Sequence, residues 1–173
     1  YYRLGDHNLT TVDSVTDLGI IFDSKMSFIP HMNYILPKAY RILAFIRRNC
    51  SDFSDPNTLK WIYTSYVRSK LEYAAVVWSP HCGNHISRIE RVQRVFLKYA
   101  LSSFRFVEPL PSYKARGLLL GLETLEYRRR FQSLLFIFDV ITCGIDCHEL
   151  LSQISFYAPP RILRHNHYIF NIL

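Results

Sequence analysis

Two apolar rhythms divide the chain. Through the first 23 residues the hydrophobic positions come in short bursts: Tyr1 to Leu4 and Leu9 to Val12 flank the turn-rich Gly5-Asp6-His7-Asn8, and Leu18-Gly19-Ile20-Ile21-Phe22 follows. That spacing predicts two or three short strands. Beyond it the interval lengthens to three and four. From His31 to Arg48 the positions Met32, Ile35, Ala39, Ile42, Leu43 and Ile46 form one helical stripe, closed by Arg47-Arg48 where cations suit a helix C-terminus. Pro37 interrupts it, and an interior proline costs about 3 kcal/mol, so either the helix kinks there or its regular part begins near Pro37-Lys38.

The second helix carries clearer punctuation. Asp55 can cap it, Pro56 suits the first helical position, and Leu59, Ile62, Tyr63, Tyr66, Val67, Tyr73, Ala74 and Val77 continue a buried stripe as far as Trp78-Ser79-Pro80. A third helix spans about His85 to Tyr99. Pro109-Leu110-Pro111 separates it from helical stretches around Tyr113 to Leu120 and Glu123 to Ile141, and Gly144 ends the last. After Tyr157 no period is visible, and residues 158–173 are expected to be a loosely ordered tail. The pattern therefore predicts a mainly α fold, a helical bundle with a short N-terminal β-hairpin or small sheet.

Composition narrows the class. With 173 residues, 49% of them hydrophobic and 20% charged, one domain with a substantial core is expected. The longest apolar runs, Ala74 to Trp78 and Leu134 to Phe138, fall far short of the roughly 18 residues a membrane span needs, so no membrane partner is expected. Cysteines at 50, 82, 143 and 147 are too few and too irregular for a disulfide framework, which suits a reducing, intracellular setting. The chain opens at Tyr1, directly in a strand-like pattern with no basic-then-apolar leader, as expected of a piece of something longer.

Charge adds a direction. Lys and Arg outnumber Asp and Glu by 21 to 14, a net +7, and residues 85–130 carry 10 basic against 4 acidic side chains. An excess of this kind suits a polyanionic partner. Within it, Arg88, Arg91, Arg94 and Lys98 fall inside an arc of roughly 120° at 100° per residue, beside Ile89, Val92, Phe96 and Tyr99. One face packs, and the other offers cations to phosphates without reading sequence. Arg128-Arg129-Arg130, on the following helical stretch, is a second cluster that can flank the same groove.

Other chemistries find less footing. His81-Cys82-Gly83-Asn84-His85 and Cys143-Gly144-Ile145-Asp146-Cys147-His148 each offer Cys and His, but neither has the C-x-x-C spacing of a zinc site, so no metal ligands are assigned. There is no glycine-rich phosphate loop and no adjacent Asp-Asp pair, and nothing fixes a serine beside a base, so no catalytic residue is assigned either. Twelve Tyr and twelve Phe invite a base-stacking reading, yet Tyr63, Tyr66, Tyr73 and Trp78 fall on the apolar stripe and are read as core.

Taken in order, six short motifs resemble one family. They are Tyr2-Arg3-Leu4-Gly5, Thr16-Asp17-Leu18-Gly19-Ile20-Ile21-Phe22-Asp23, Lys38-Ala39-Tyr40 with Phe45-Ile46-Arg47-Arg48, Leu71-Glu72-Tyr73-Ala74 with Val77-Trp78-Ser79-Pro80, Ile89-Glu90-Arg91-Val92-Gln93 with Phe96, and Leu122-Glu123-Thr124-Leu125 with Arg128-Arg129. Together they resemble the C-terminal part of reverse transcriptases of non-LTR retrotransposons, the jockey-like LINE elements, from Tyr1 to about Arg164. Pro37 and His81-Cys82-Gly83-Asn84 depart from that pattern.

The resemblance implies an organisation. Residues 1–23 would be the end of the palm, 24–157 the thumb and the region after it, and 158–173 the tail. The aromatic-x-Asp-Asp catalytic motif would lie upstream, so the segment is expected to be inactive alone and to hold no cofactor. Magnesium would belong to the parent polymerase. The implied partners are an RNA–DNA or DNA duplex and the upstream palm of the same parent chain, in the nucleus or cytoplasm. The alternative is a decayed or captured element fragment acting as a helical protein-interaction module.

Overall fold

Positive φ at two successive residues, Leu18 (45°) and Gly19 (83°), turns the first long hairpin. A two-residue turn of this hand suits the twist of paired strands. Gly19 adopts it freely, whereas Leu18 carries a steric cost and leaves its side chain 81% exposed. The turn joins β3 (Ser14–Asp17) to β4 (Ile20–Asp23), paired antiparallel with Asp17 opposite Ile20. Leu18-Gly19, expected inside a strand, is thus the turn between two. A smaller antiparallel pair precedes it, β1 (Arg3–Leu4) and β2 (His7–Asn8), and the strand expected from Leu9 to Val12 does not form among the described residues. The computed structural model describes residues 3–5, 7, 8, 10–51, 53, 55–103, 111–156 and 170–172.

The rest is mainly helical. The chain forms two compact units, residues 1–130 and 131–173. In the first, α1 (Ile29–Asn49) starts where the Asp23 carboxylate accepts the Phe28 N–H at 2.8 Å and the Ser27 N–H at 3.1 Å. It runs through Pro37 rather than starting there. The exposed ring adds no bulk to the buried side, and its missing N–H removes the usual donor to the Asn33 carbonyl. Asp55 caps α2 (Pro56–Tyr63) as expected, accepting the N–H groups of Asn57 and Thr58 at 3.1 and 3.0 Å, with Pro56 in the first turn.

The single helix expected from Pro56 to Trp78 is instead broken into segments. A wide π turn, Thr64–Arg68, separates α2 from α3 (Ser69–Glu72), and Ala74 at φ 48° breaks the chain again before α4 (Ala75–Trp78). The extra residue in the wide turn shifts the stripe by about one position. The buried set is therefore Leu59, Tyr63, Val67, Leu71, Ala75 and Trp78, while Tyr66 (62% exposed), Tyr73 (56%) and Val77 (49%) face outward.

Next come α5 (Gly83–Ser103), α6 (Tyr113–Leu120) and α7 (Leu125–Ile141), close to their expected spans. Gly121 at φ 58° closes α6, with the Leu122 N–H donating to the Gly117 carbonyl at 2.8 Å. The left-handed residue after α7 is Cys143 (φ 57°), and Gly144 follows it, donating its N–H to the Asp139 carbonyl at 2.8 Å. The core of the first unit joins α1, the α2–α4 segment, α5 and the start of α7, with the Tyr63 and Phe96 rings stacked at 4.0 Å. In the second unit, α8 (His148–Gln153) leads into β5 (Ile154–Phe156), paired antiparallel with β6 (Phe170–Ile172). Part of the expected loose tail is therefore a strand, while residues 157–169 and 173 lie outside the described residues.

Candidate nucleic-acid interface

The buried side of α5 fixes where its cations point. Ile89, Val92, Phe96, Leu97 and Ala100 are wholly inside, and Arg88, Arg91, Arg94 and Lys98 are all exposed on the opposite arc. None of the four forms an ion pair among the described residues. The ridge is held at both edges by neutral groups. Arg88 donates to Asn33 Oδ1 of α1 at 2.7 Å, and the Arg94 guanidinium lies 4.9 Å from the centre of the Tyr113 ring of α6. From Arg88 to Lys98 is ten residues, about 15 Å of helix at 1.5 Å per residue. A further cation of α1 lies beside the C-terminal part of α5, since Arg47 sits 5.6 Å from the Tyr99 ring.

The Arg128–Arg130 cluster does not form one patch. Consecutive helical residues diverge by about 100°, and the three side chains go to three places. Arg128 is half-buried and grips the Glu72 carboxylate of α3 with two nitrogens, Nη2 to Oε2 at 3.0 Å, and that bond raises its pKa. Arg129 is 2% exposed. Burial lowers its pKa, and the carboxylates of Glu90, Glu126 and Glu72 oppose that shift. Arg130 is exposed and pairs with Glu126 one turn earlier at 2.8 Å. A guanidinium enclosed by protein cannot reach a phosphate, so Arg129 is withdrawn from the expected interface. Its two neighbours are committed to carboxylates.

Beneath the ridge lies a polar hub that the charge count did not reveal. Glu90 is 5% exposed: it accepts the Tyr113 hydroxyl, and its Oε1 accepts the Glu126 N–H at 2.5 Å. This places a carboxylate at the start of α7, where the helix dipole favours negative charge. Gln93, also buried, accepts the Tyr63 hydroxyl at 3.2 Å and donates to Tyr113 Oη at 3.1 Å and to the Glu123 carbonyl at 2.8 Å. Burial, and then the bond to Glu90, push the Tyr113 hydroxyl to a higher pKa than usual. α2, α5, α6 and the first turn of α7 are thereby cross-linked, and the ridge is mounted on a fixed frame. Sequence phase could have found the hub, because Glu90 and Gln93 lie on the apolar arc of α5.

At the other end of α1, His31 is buried. Its Nδ1 accepts the Ile21 N–H at 3.3 Å, and its ring meets Trp78 edge-on at 5.1 Å. Desolvation lowers its pKa. Among the described residues no group of three or more His, Cys, Asp or Glu side chains is gathered to hold a metal ion. No helix among them is long and apolar enough to cross a membrane. No protein-family model, no curated protein and no solved structure matches this chain.

Proposed function

We propose that this chain is the thumb and post-palm part of a non-LTR retrotransposon reverse transcriptase, a non-catalytic segment that holds template–primer duplex through backbone phosphates. The observation that carries the reading is the α5 ridge: four exposed cations, none paired with a carboxylate among the described residues, on a helix whose other face is locked into the core. Such a surface suits a helical backbone of any sequence, because point charges and guanidinium forks bind phosphate without consulting base edges. The implied partners are an RNA–DNA or DNA duplex and the upstream palm, in the nucleus or cytoplasm. Magnesium chemistry would belong to the palm.

The test is binding of a labelled RNA–DNA hybrid across a salt series. Affinity falls steeply with salt, and the Arg91→Ala, Arg94→Ala pair flattens the log–log slope by about 0.9 per lost contact on B-DNA and by a somewhat different amount on a hybrid. An unchanged slope removes both residues from the interface. Arg130→Ala, already engaged with Glu126, leaves the slope unaltered.

A second reading, a captured fragment acting as a helical protein-interaction module, draws on α7, where Phe131, Leu134, Leu135 and Phe138 recur at helical spacing and are exposed. Gel filtration at low and high salt separates the two. Self-association that ignores added hybrid favours the module.

A further inference from the structure

A cleft of about 430 Å³ opens between the β3–β4 turn, α1 and α3, and none of the cations assigned to the duplex lines it. Its size falls in the range of small-molecule sites, roughly 300–1,000 Å³. Two features define what it can take. The first is charge: Lys38 and Lys70 line it, no carboxylate does, and neither lysine forms an ion pair among the described residues. The second is shape: Tyr34 and Tyr73 contribute flat rings and Ile35 an apolar wall.

Both features are held in place by bonds. The Tyr73 hydroxyl donates to the Leu18 carbonyl at 3.0 Å, fixing that ring against the hairpin turn. Lys38 Nζ lies over the face of the Tyr34 ring, 3.6 Å from its centre, so Tyr34 stations one ammonium in the cleft and Tyr73 is the aromatic wall left uncovered by it. Ser69 spends its hydroxyl proton on the Ser65 carbonyl, which leaves its oxygen lone pairs as acceptors in the cleft. Two cations without a resident counter-charge, beside an uncovered ring and an acceptor, match an anion carried on a planar, hydrogen-bonding ring.

We propose that this cleft binds a phosphorylated nucleoside, its phosphate between Lys38 and Lys70 and its base against Tyr73. The unit can be a free nucleotide or the phosphorylated end of a strand, since both present the same chemistry. The assignment is independent of the α5 ridge, and a failure of either leaves the other standing.

Calorimetric titration of the full chain with AMP tests it. Saturable binding of one AMP per chain is expected, with adenosine and inorganic phosphate each at least tenfold weaker. Because each lysine supplies a charge-assisted hydrogen bond to the phosphate, Lys70→Gln and Lys38→Gln should each weaken AMP by about tenfold or more. Lys70 is exposed, so its variant keeps the fold, and circular dichroism verifies both. Absence of saturable AMP binding, undiminished binding in the folded lysine variants, or inorganic phosphate binding as tightly as AMP would each overturn the proposal. Competition with trinucleotides identifies the source. Displacement of AMP by the 5′-phosphorylated form but not by the 5′-hydroxyl form supports a strand end, whereas no displacement by either supports a free nucleotide. Arg91→Ala, Arg94→Ala should bind AMP as the unaltered chain does, which keeps this result separate from the duplex experiment.

Discussion

Two arginine-rich stretches of similar charge have opposite fates. On α5 the cations are spaced by three and four, share one arc, and all reach solvent. On α7 three arginines stand in a row, and the helix distributes them to an ion pair with Glu72, a buried site near Glu90, and an exposed pair with Glu126. Spacing, not number, makes a patch. The consecutive triplet reads as the stronger signal by eye and leaves only Arg130 exposed, while the interrupted series yields a ridge. The same rule explains Glu90 and Gln93, which share α5 with the ridge and lie on its inner arc.

The sharpest way to break this contrast is to remove the hub carboxylate. Glu90→Ala leaves the Tyr113 hydroxyl and the Glu126 N–H without their acceptor and strips Arg129 of a compensating charge. A loss of about 3–5 kcal/mol is expected, read as a lower urea midpoint. If Glu90→Ala were as stable as the parent chain, the hub would not be what holds the ridge in place. Removing the α2 cap is milder: Asp55→Ala should cost about 1 kcal/mol in the same assay.

Protonation gives a smaller, pH-dependent effect. His31 has a depressed pKa when folded, so the unfolded chain takes up a proton first as pH falls below the ordinary value of 6.5. Stability is therefore unaffected by this group above that pH and declines from there down to the folded pKa. Urea midpoints between pH 7.5 and 5 should follow that course, and His31→Gln should flatten the part due to this residue. The smallest effect belongs to the surface. Arg91→Ala and Arg130→Ala should each alter stability by no more than about 0.5 kcal/mol, although only Arg91 is expected to alter hybrid binding.

Much of the fold is legible in the sequence wherever punctuation and period agree. Asp55-Pro56 marks a helix start by two independent devices, and Gly121 and Pro111 bound α6 in the same way. Legibility fails where the period itself changes. A regular helix would put Tyr66, Tyr73 and Val77 inside, and one extra residue in the Thr64–Arg68 turn rotates the stripe away from them. Leu18 misleads because its hydrophobicity says strand while its partner Gly19 says turn. For the interface, exposure of the four α5 cations is readable from phase alone. The burial of Arg129 is not, because an arginine in a charged run is ordinarily a solvent-facing residue and its carboxylate neighbours come from α3, α5 and α7.

The wide turn after α2 also couples two segments distant in the chain. By offsetting α3 by one position, it brings the Tyr73 hydroxyl to the Leu18 carbonyl, and the left-handed Ala74 then redirects the chain so that Trp78 meets His31. An ordinary helix through Thr64–Arg68 would rotate the Tyr73 side chain off that mark by about 100°. The surplus residue therefore acts as an adaptor between the helical stack and the N-terminal hairpin: a length change there is tolerable only if the hairpin moves with it, so the two segments are bound to vary as one.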